Sequence, residues 1–118
     1  MKLRALEAFF SKYYKQIMPW GIVHECFKPV ASLAEADGIW FLCPKCFATD
    51  HHMVRIGFHG KATPGTYGYN KDGQPVLWNL AGGAGLDDLQ LTPSIQLQGG
   101  CWWHGFVGSS GVPAGEAV

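Results

Sequence analysis

Apolar side chains recur at spacings of three and four residues through the first part of the chain. This periodicity is typical of one face of an amphipathic helix, and it predicts a helix over residues 2–18. The positions that carry the pattern are Leu3, Leu6, Phe10, Tyr13 and Ile17. Pro19 and Gly21 then end the helix. We expect this helix to pack on its own domain. Docking to a partner is the alternative, because the segment is rich in aromatic side chains.

From residue 37 onward the pattern changes to short strands separated by turns. Residues 38–43 form a continuous apolar run, and alternate side chains share a face in residues 52–58, so both segments predict strands. Further strands are predicted at residues 74–80, 86–91, 94–98 and 102–107, with a turn at residues 70–73. Residues 22–37 are expected to form a connection with some extended structure that ends in a short turn rich in Ala and Glu, and residues 108–118 a loose tail.

The composition fits one folded domain and limits its function. The chain has 118 residues, of which 47% are hydrophobic and 15% charged, as in a folded protein with a modest core. Nine basic and nine acidic residues give a net charge of zero, which argues against nucleic-acid binding. No secretory signal and no run of about 18 apolar residues occurs, so no membrane partner is expected. The expected location is the cytoplasm, where cysteines serve as thiols or metal ligands.

Three of the four cysteines and one histidine form two pairs of equal spacing. Cys43 and Cys46 make a C-x2-C pair, and Cys101 and His104 make a C-x2-H pair. Two-residue spacing lets both side chains of a tight turn face one ion, and two such turns together give a tetrahedral Cys3His set. Thiolates with one imidazole suit Zn²⁺, and iron less well. The pattern predicts a structural zinc site, because four protein ligands leave no position open for a substrate.

Other ligands and other uses of the thiols stay open. His51, His52 or Cys26 could replace a member of the set, and the cysteines could instead be separate buried thiols or a redox pair. Metal-assisted hydrolysis is not favoured. Lysine stands at position 28, where a metalloprotease helix that begins at His24-Glu25 needs histidine, and the order of residues does not match a deaminase signature.

These observations predict an α+β fold built on a small, zinc-stapled antiparallel sheet. The N-terminal amphipathic helix occupies residues 1–21, the zinc-binding β-rich domain residues 22–112, and a flexible tail residues 113–118. A glycine-rich sheet of this size has a modest core, so a bound metal would add folding energy that the core does not supply.

Four stretches of the β-rich part resemble a family of small zinc-binding proteins that occur widely in tailed-phage and prophage genomes. They are G-I-W-F-L-C-P-K-C at residues 38–46, W-N-L at 78–80, L-T-P-S-I at 91–95 and C-W-W-H-G-F-V at 101–107. The resemblance covers residues 38–112 and leaves the N-terminal segment outside. Relatives of this family lie beside bacterial ubiquitin-like conjugation genes, where they are proposed to be peptidases.

The resemblance implies a phage origin, a β-rich zinc fold and roles for individual residues. The paired cysteines of the family correspond to Cys43 and Cys46, the histidine after them loosely to His51 or His52, the T-P-S serine to Ser94, and the late histidine to His104. Two positions depart from the family pattern. Phe47 stands where many members have glycine, and Cys101 lies three positions before the late histidine, whereas many members have these two residues adjacent.

Three functional hypotheses follow from these residues. The favoured one is a phage-type interaction module without catalysis, bound to a phage or host protein, because a closed metal site and exposed aromatic side chains suit binding. The alternative is a serine-dependent peptidase or hydrolase with Ser94 as nucleophile, His52 or His59 as base, and the amides of Gly99 and Gly100 as oxyanion donors. The third is a binder of single-stranded nucleic acid, which the lack of a basic stripe opposes.

Overall fold

The computed structural model describes residues 1–98 and 100–118, and in this part of the chain it contains eight strands and one short 3-10 helix. The helix spans Leu3–Leu6, and the strands are β1 (Phe9–Ile17), β2 (Val23–Val30), β3 (Gly38–Leu42), β4 (Met53–Gly57), β5 (Asn79–Gly82), β6 (Gln90–Thr92), β7 (Ile95–Gln96) and β8 (His104–Gly105). Four strands form an antiparallel sheet in the order β2-β1-β3-β4, and β5–β6 and β7–β8 form separate pairs. No helix of the described residues is long and apolar enough to cross a membrane.

The predicted N-terminal helix is wrong, and the fold is β-rich rather than α+β. Glu7 ends the 3-10 helix with a left-handed backbone (φ 54°), and the chain then continues as β1. Strand β1 pairs with β2 along eight residue pairs, so residues 23–30, for which the sequence predicts a connection with some extended structure, form a full strand. The helical spacing gave a wrong prediction because the aromatic side chains of residues 9–14 also favour strands. Pairing with a later segment then decides between helix and strand.

The far half of the β1–β2 hairpin extends beyond the sheet. Strand β3 pairs with β1 only at Phe9–Ser11, so the paired residues 12–17 and 23–28 have no third strand beside them among the described residues. We call residues 12–28 the ribbon. Its tip is apolar, since Ile17, Trp20 and Ile22 are 75%, 66% and 53% exposed.

Aromatic contacts hold the base of the ribbon against the sheet. The Phe27 ring packs edge-on against Tyr13, Trp40 and Tyr67, with ring centroids 5.5, 5.3 and 5.0 Å apart. The buried Tyr67 hydroxyl donates a hydrogen bond to Asp37 Oδ1 at 2.6 Å. An isolated two-stranded hairpin is only marginally stable in water, so these contacts account for the ordered base of the ribbon.

The remaining strand predictions are confirmed in position, with shorter lengths for the later strands. Strands β3 and β4 fall within the predicted segments 38–43 and 52–58 and pair over five residues. Each of the four later segments contains or overlaps one of the short strands β5 to β8. The turn at residues 70–73 is present, with the Gly73 amide donating to the Asn70 carbonyl at 3.0 Å. The core lies beneath these strands and includes the fully buried side chains of Phe41, Ile39 and Leu91.

The last residues pack against the first. Residues 113–118, for which the sequence predicts a flexible tail, include the Gly115 carbonyl, which accepts from the Leu3 amide at 2.9 Å. The Ala117 amide donates to the Met1 carbonyl at 2.8 Å, and the Ala117 side chain is fully buried. Val118 and Phe106 exchange two backbone hydrogen bonds, which ties this segment to the end of the β7–β8 hairpin.

Candidate functional site

The end of the β3–β4 hairpin presents two cysteines and a histidine. Cys43 follows β3 directly, and its amide donates to the carbonyl of His52 at 2.7 Å, so these two residues face each other across the strands. The chain between them turns tightly, because the Cys46 carbonyl accepts from the amides of Thr49 and Asp50, both at 3.0 Å. This local geometry places three candidate ligands within one turn region.

The β7–β8 hairpin presents the third cysteine. Its strands are extended by a hydrogen bond from the Leu97 amide to the Trp103 carbonyl at 2.8 Å, and Cys101 lies in the turn between these two residues. The buried Trp103 ring packs edge-on against Phe41 of β3, with centroids 6.1 Å apart, and so anchors the hairpin to the sheet. Lys45 donates from Nζ to the Cys101 carbonyl at 2.8 Å and links the two turns.

Cys43, Cys46, His52 and Cys101 form a group that could hold a metal ion, and we call these four residues the metal-ligand group. Their ligand atoms all lie within 4.8 Å of one another. The sulfurs of Cys43 and Cys101 are 3.2 Å apart, and Cys101 Sγ lies 3.7 Å from His52 Nδ1. Metal–sulfur bonds of about 2.3 Å in a tetrahedron place the sulfurs about 3.8 Å apart, so small shifts fit the group to one ion. All three thiols are free of disulfides.

The thiols of this group affect one another strongly. Burial, together with hydrogen bonds to Cys101 and Cys43, raises the pKa of the Cys46 thiol to about 12. Burial also acts to raise the pKa of Cys101, but hydrogen bonds from Cys43 and His52 outweigh it and lower that pKa to about 6. Without a cation the group therefore favours one thiolate at Cys101, which the neighbouring donors stabilise. A divalent cation would supply the charge that further thiolates need.

The structure brings together three of the four predicted ligands, with His52 in the place that the spacing assigned to His104. His104 lies on β8 outside the group, and the alternatives His51 and Cys26 are also outside it. Residues three apart along extended chain point to opposite faces, so a C-x2-H pair that leads into a strand directs its two side chains apart. One feature of the sequence could have identified His52 as a ligand. It lies at the start of a predicted strand, and antiparallel pairing with the preceding strand places it opposite Cys43.

His104 makes a different contact, with Ser94. Strand β7 pairs with β8 so that Gln96 lies opposite His104, which makes Ser94 and His104 diagonal neighbours on one face of the hairpin. His104 Nε2 lies 3.1 Å from Ser94 Oγ, within hydrogen-bond distance. The Ser94 side chain is half-buried and His104 is exposed. Neither His52 nor His59, the bases expected from the sequence, makes this contact in the described part of the chain.

Ser94 lines an open cleft of about 600 Å³ beside the metal-ligand group. Trp78 forms part of the cleft wall, and its indole Nε1 donates to the Ser94 carbonyl at 3.2 Å. His52 and Gly100 lie at the same cleft. Gly99, which the sequence proposes as an oxyanion donor, lies outside the described residues.

Comparison with known proteins gives no relative: no family model, no curated protein and no solved structure matches the chain.

Proposed function

We propose that the Cys3His group holds Zn²⁺ in a structural role. Thiolates with one imidazole are a standard zinc donor set, and four protein ligands leave no open position on the ion. Cys43 and Cys46 are buried, which suits a site that contributes folding energy. Such ligands require reduced thiols, so we propose the cytoplasm as the compartment, that of the host cell if the chain is phage-encoded as its resemblance implies.

We propose further that the protein is a serine-dependent hydrolase with Ser94 as nucleophile and His104 as general base. The observation that carries this proposal is the 3.1 Å contact between Ser94 Oγ and His104 Nε2 at the edge of a cleft. Serine side chains commonly bond nearby backbone groups, whereas the Ser94 hydroxyl contacts an imidazole nitrogen. The T-P-S-I and W-H-G-F runs that resemble the phage proteins include these two residues.

The chemistry needs only this pair, a carbonyl substrate and water. Ser94 Oγ attacks the carbonyl carbon of an amide or ester while His104 Nε2 takes the hydroxyl proton. His104 then gives that proton to the leaving amine or alcohol, which leaves an ester on Ser94. A water molecule, deprotonated by His104, attacks this ester, and His104 returns the proton to Ser94 Oγ as the carboxylic acid leaves, so each bond cleaved consumes one water. The metal centre would contribute by fixing the turn that carries Cys101, and thereby the β7–β8 hairpin.

Covalent labelling tests the hydrolase proposal. We expect a fluorescent alkyl fluorophosphonate to label the metal-loaded protein, with the adduct on the tryptic peptide that contains Ser94. Ser94→Ala should abolish the label, while the control Ser32→Ala, between β2 and β3 and outside the cleft, should retain it. A folded, metal-loaded wild-type protein that resists labelling would refute the proposal.

The ribbon supports a second candidate function, the binding of a partner protein. Ile17, Trp20, Ile22 and Val23 are each at least half exposed at its tip, an unusual concentration of apolar side chains on an extended hairpin. Tryptophan is also among the residues that contribute most to protein interfaces.

Site-specific crosslinking tests this second function. A photoreactive benzoylphenylalanine at position 20 should give one discrete protein adduct in the producing cell, and the same residue at position 71, on the exposed turn, should not. Equal adduct patterns at both positions would argue against a ribbon partner.

A further inference from the structure

Strand β4 forms one edge of the four-stranded sheet, and part of that edge faces the Ser94 cleft. In an antiparallel pair, alternate residues direct their amides and carbonyls to the partner strand. The bonds from Cys43 to His52 (2.7 Å) and from Phe58 to Asp37 (2.9 Å) show that the even-numbered residues of β4 bond to β3. Met53, Arg55 and Gly57 therefore direct their backbone groups outward.

Within the described part of the chain, one end of this outer edge is paired and the rest is not. The Trp78 amide donates to the Gly57 carbonyl at 2.9 Å, and the Trp78 carbonyl accepts from the His59 amide at 2.7 Å. The chain before Trp78 then leaves the edge, because the Val76 amide bonds to Gly68 at 3.2 Å. Across residues 1–98 and 100–118, the outward amides and carbonyls of Met53 and Arg55 have no backbone partner. Both residues line the cleft.

Trp78 connects this edge to the nucleophile. Its backbone continues the edge at Gly57, and its indole donates to the Ser94 carbonyl at 3.2 Å. The unpaired part of β4, Trp78 and Ser94 thus line one cleft, and His104 contacts Ser94 at its edge.

We propose that the cleft binds an extended peptide, which adds to β4 as a further strand through the backbone groups of Met53 and Arg55. An extended peptide supplies the alternating acceptors and donors that this edge lacks, in the manner of other strand-addition sites. The peptide then lies across the cleft with a main-chain carbonyl within reach of Ser94 Oγ. This inference rests on the proposed hydrolase and names its substrate class, polypeptide in extended form.

Amide hydrogen exchange on the Ser94→Ala variant tests the proposal, since this variant binds without cleaving. The probe is a tryptic digest of β-casein, added to ¹⁵N-labelled, metal-loaded protein and followed by NMR. We expect the Met53 and Arg55 amide signals to shift and their exchange to slow by about fivefold, as expected from one new hydrogen bond each. Shifts confined to other cleft residues, or no shifts at all, would overturn the proposal.

A pair of variants separates the Arg55 amide from its side chain. Arg55→Pro removes the outward N–H without removing a β3–β4 bond, and Arg55→Ala removes only the side chain. The proline variant should bind the digest about fivefold more weakly than the alanine variant. Equal affinities would contradict the proposal, and the exchange experiment decides alone if the proline variant does not fold.

The two proposals fail in different ways. If wild-type Ser94 resists the fluorophosphonate but the Met53 and Arg55 amides are protected by the digest, the cleft binds peptides without hydrolysing them, and only the hydrolase is refuted. If Ser94 is labelled and those amides are unaffected, the hydrolase stands and strand addition at β4 is refuted.

Discussion

The metal-ligand group and the Ser94–His104 pair both use the β7–β8 hairpin, and they differ in how far their side chains are buried. Cys101 lies in the turn of the β7–β8 hairpin, and His104 lies three residues later on β8. The group around Cys101 includes the buried Cys43 and Cys46, whereas Ser94 lines the open cleft and His104 is exposed beside it. Buried thiols suit a group that stabilises the fold, whereas a more exposed serine and histidine suit contact with a substrate. One short hairpin thus carries residues of both, with Cys101 in its turn and His104 on its second strand.

The largest expected effect comes from removing one cysteine of the metal-ligand group. Cys43→Ser should lose the metal and most of the free energy of unfolding, because structural zinc contributes about 10 kcal/mol in apparent terms to small domains. Metal content by mass spectrometry and thermal unfolding by circular dichroism measure this. Cys26→Ser is the matched control, because Cys26 lies on the ribbon outside the group, and it should keep both the metal and the melting temperature. Equal behaviour of the two variants would contradict a structural metal.

Replacing His52 and His104 by alanine, one at a time, should affect the two sites separately. His52→Ala should weaken metal binding by about 100-fold, on the basis that one of four ligands contributes about a quarter of the binding free energy. His104→Ala should keep the metal but slow fluorophosphonate labelling of Ser94 by about 100-fold, the typical contribution of a general base. Chelator competition and labelling rates measure the two effects. If His104→Ala lost the metal instead, the assignment of the two histidines would be reversed.

A smaller effect is the pH dependence of metal binding. The pKa of Cys46, raised to about 12, keeps this thiol protonated at neutral pH, so the ion displaces its proton and affinity rises at least about tenfold per pH unit. Cys101, with a pKa lowered to about 6, adds a second displaced proton only below that pH, so the dependence steepens there. Competition with a chromophoric chelator between pH 5 and pH 8 measures the slope. His104→Ala should leave it unchanged, and a flat profile would argue against thiolate ligands.

The sequence predicts the β-rich part well where side-chain alternation is local. Strands β3 and β4 follow from their own residues, and the cysteine spacing identifies three members of the metal-ligand group. The fourth member is harder to identify from sequence. His52 reaches Cys43 through antiparallel register, a property of two segments, whereas the spacing of Cys101 and His104 is a property of one.

The N-terminal segment shows the opposite case. Leu3 and Leu6 are core residues as the helical pattern implies, but Phe9 stacks on Trp40 of β3 with ring centroids 5.9 Å apart. That contact and the pairing with β2 join residues far apart in the chain, so the spacing of apolar residues within the segment cannot predict either. The contact of Ser94 with His104 is of the same kind, because it depends on the β7–β8 register.

The ribbon also exposes long strand edges, and such edges recruit other strands and seed fibrils. Lys12 on β1 and Lys28 on β2 are exposed and lie opposite each other, and we expect their charges to repel a second ribbon that approaches in register. Acetylation of these two amines would remove the repulsion and leave a strand pair with an apolar tip. We therefore expect the solubility of this protein at high concentration to fall when these two lysines lose their charge, although both lie outside the metal-ligand group and the Ser94–His104 pair.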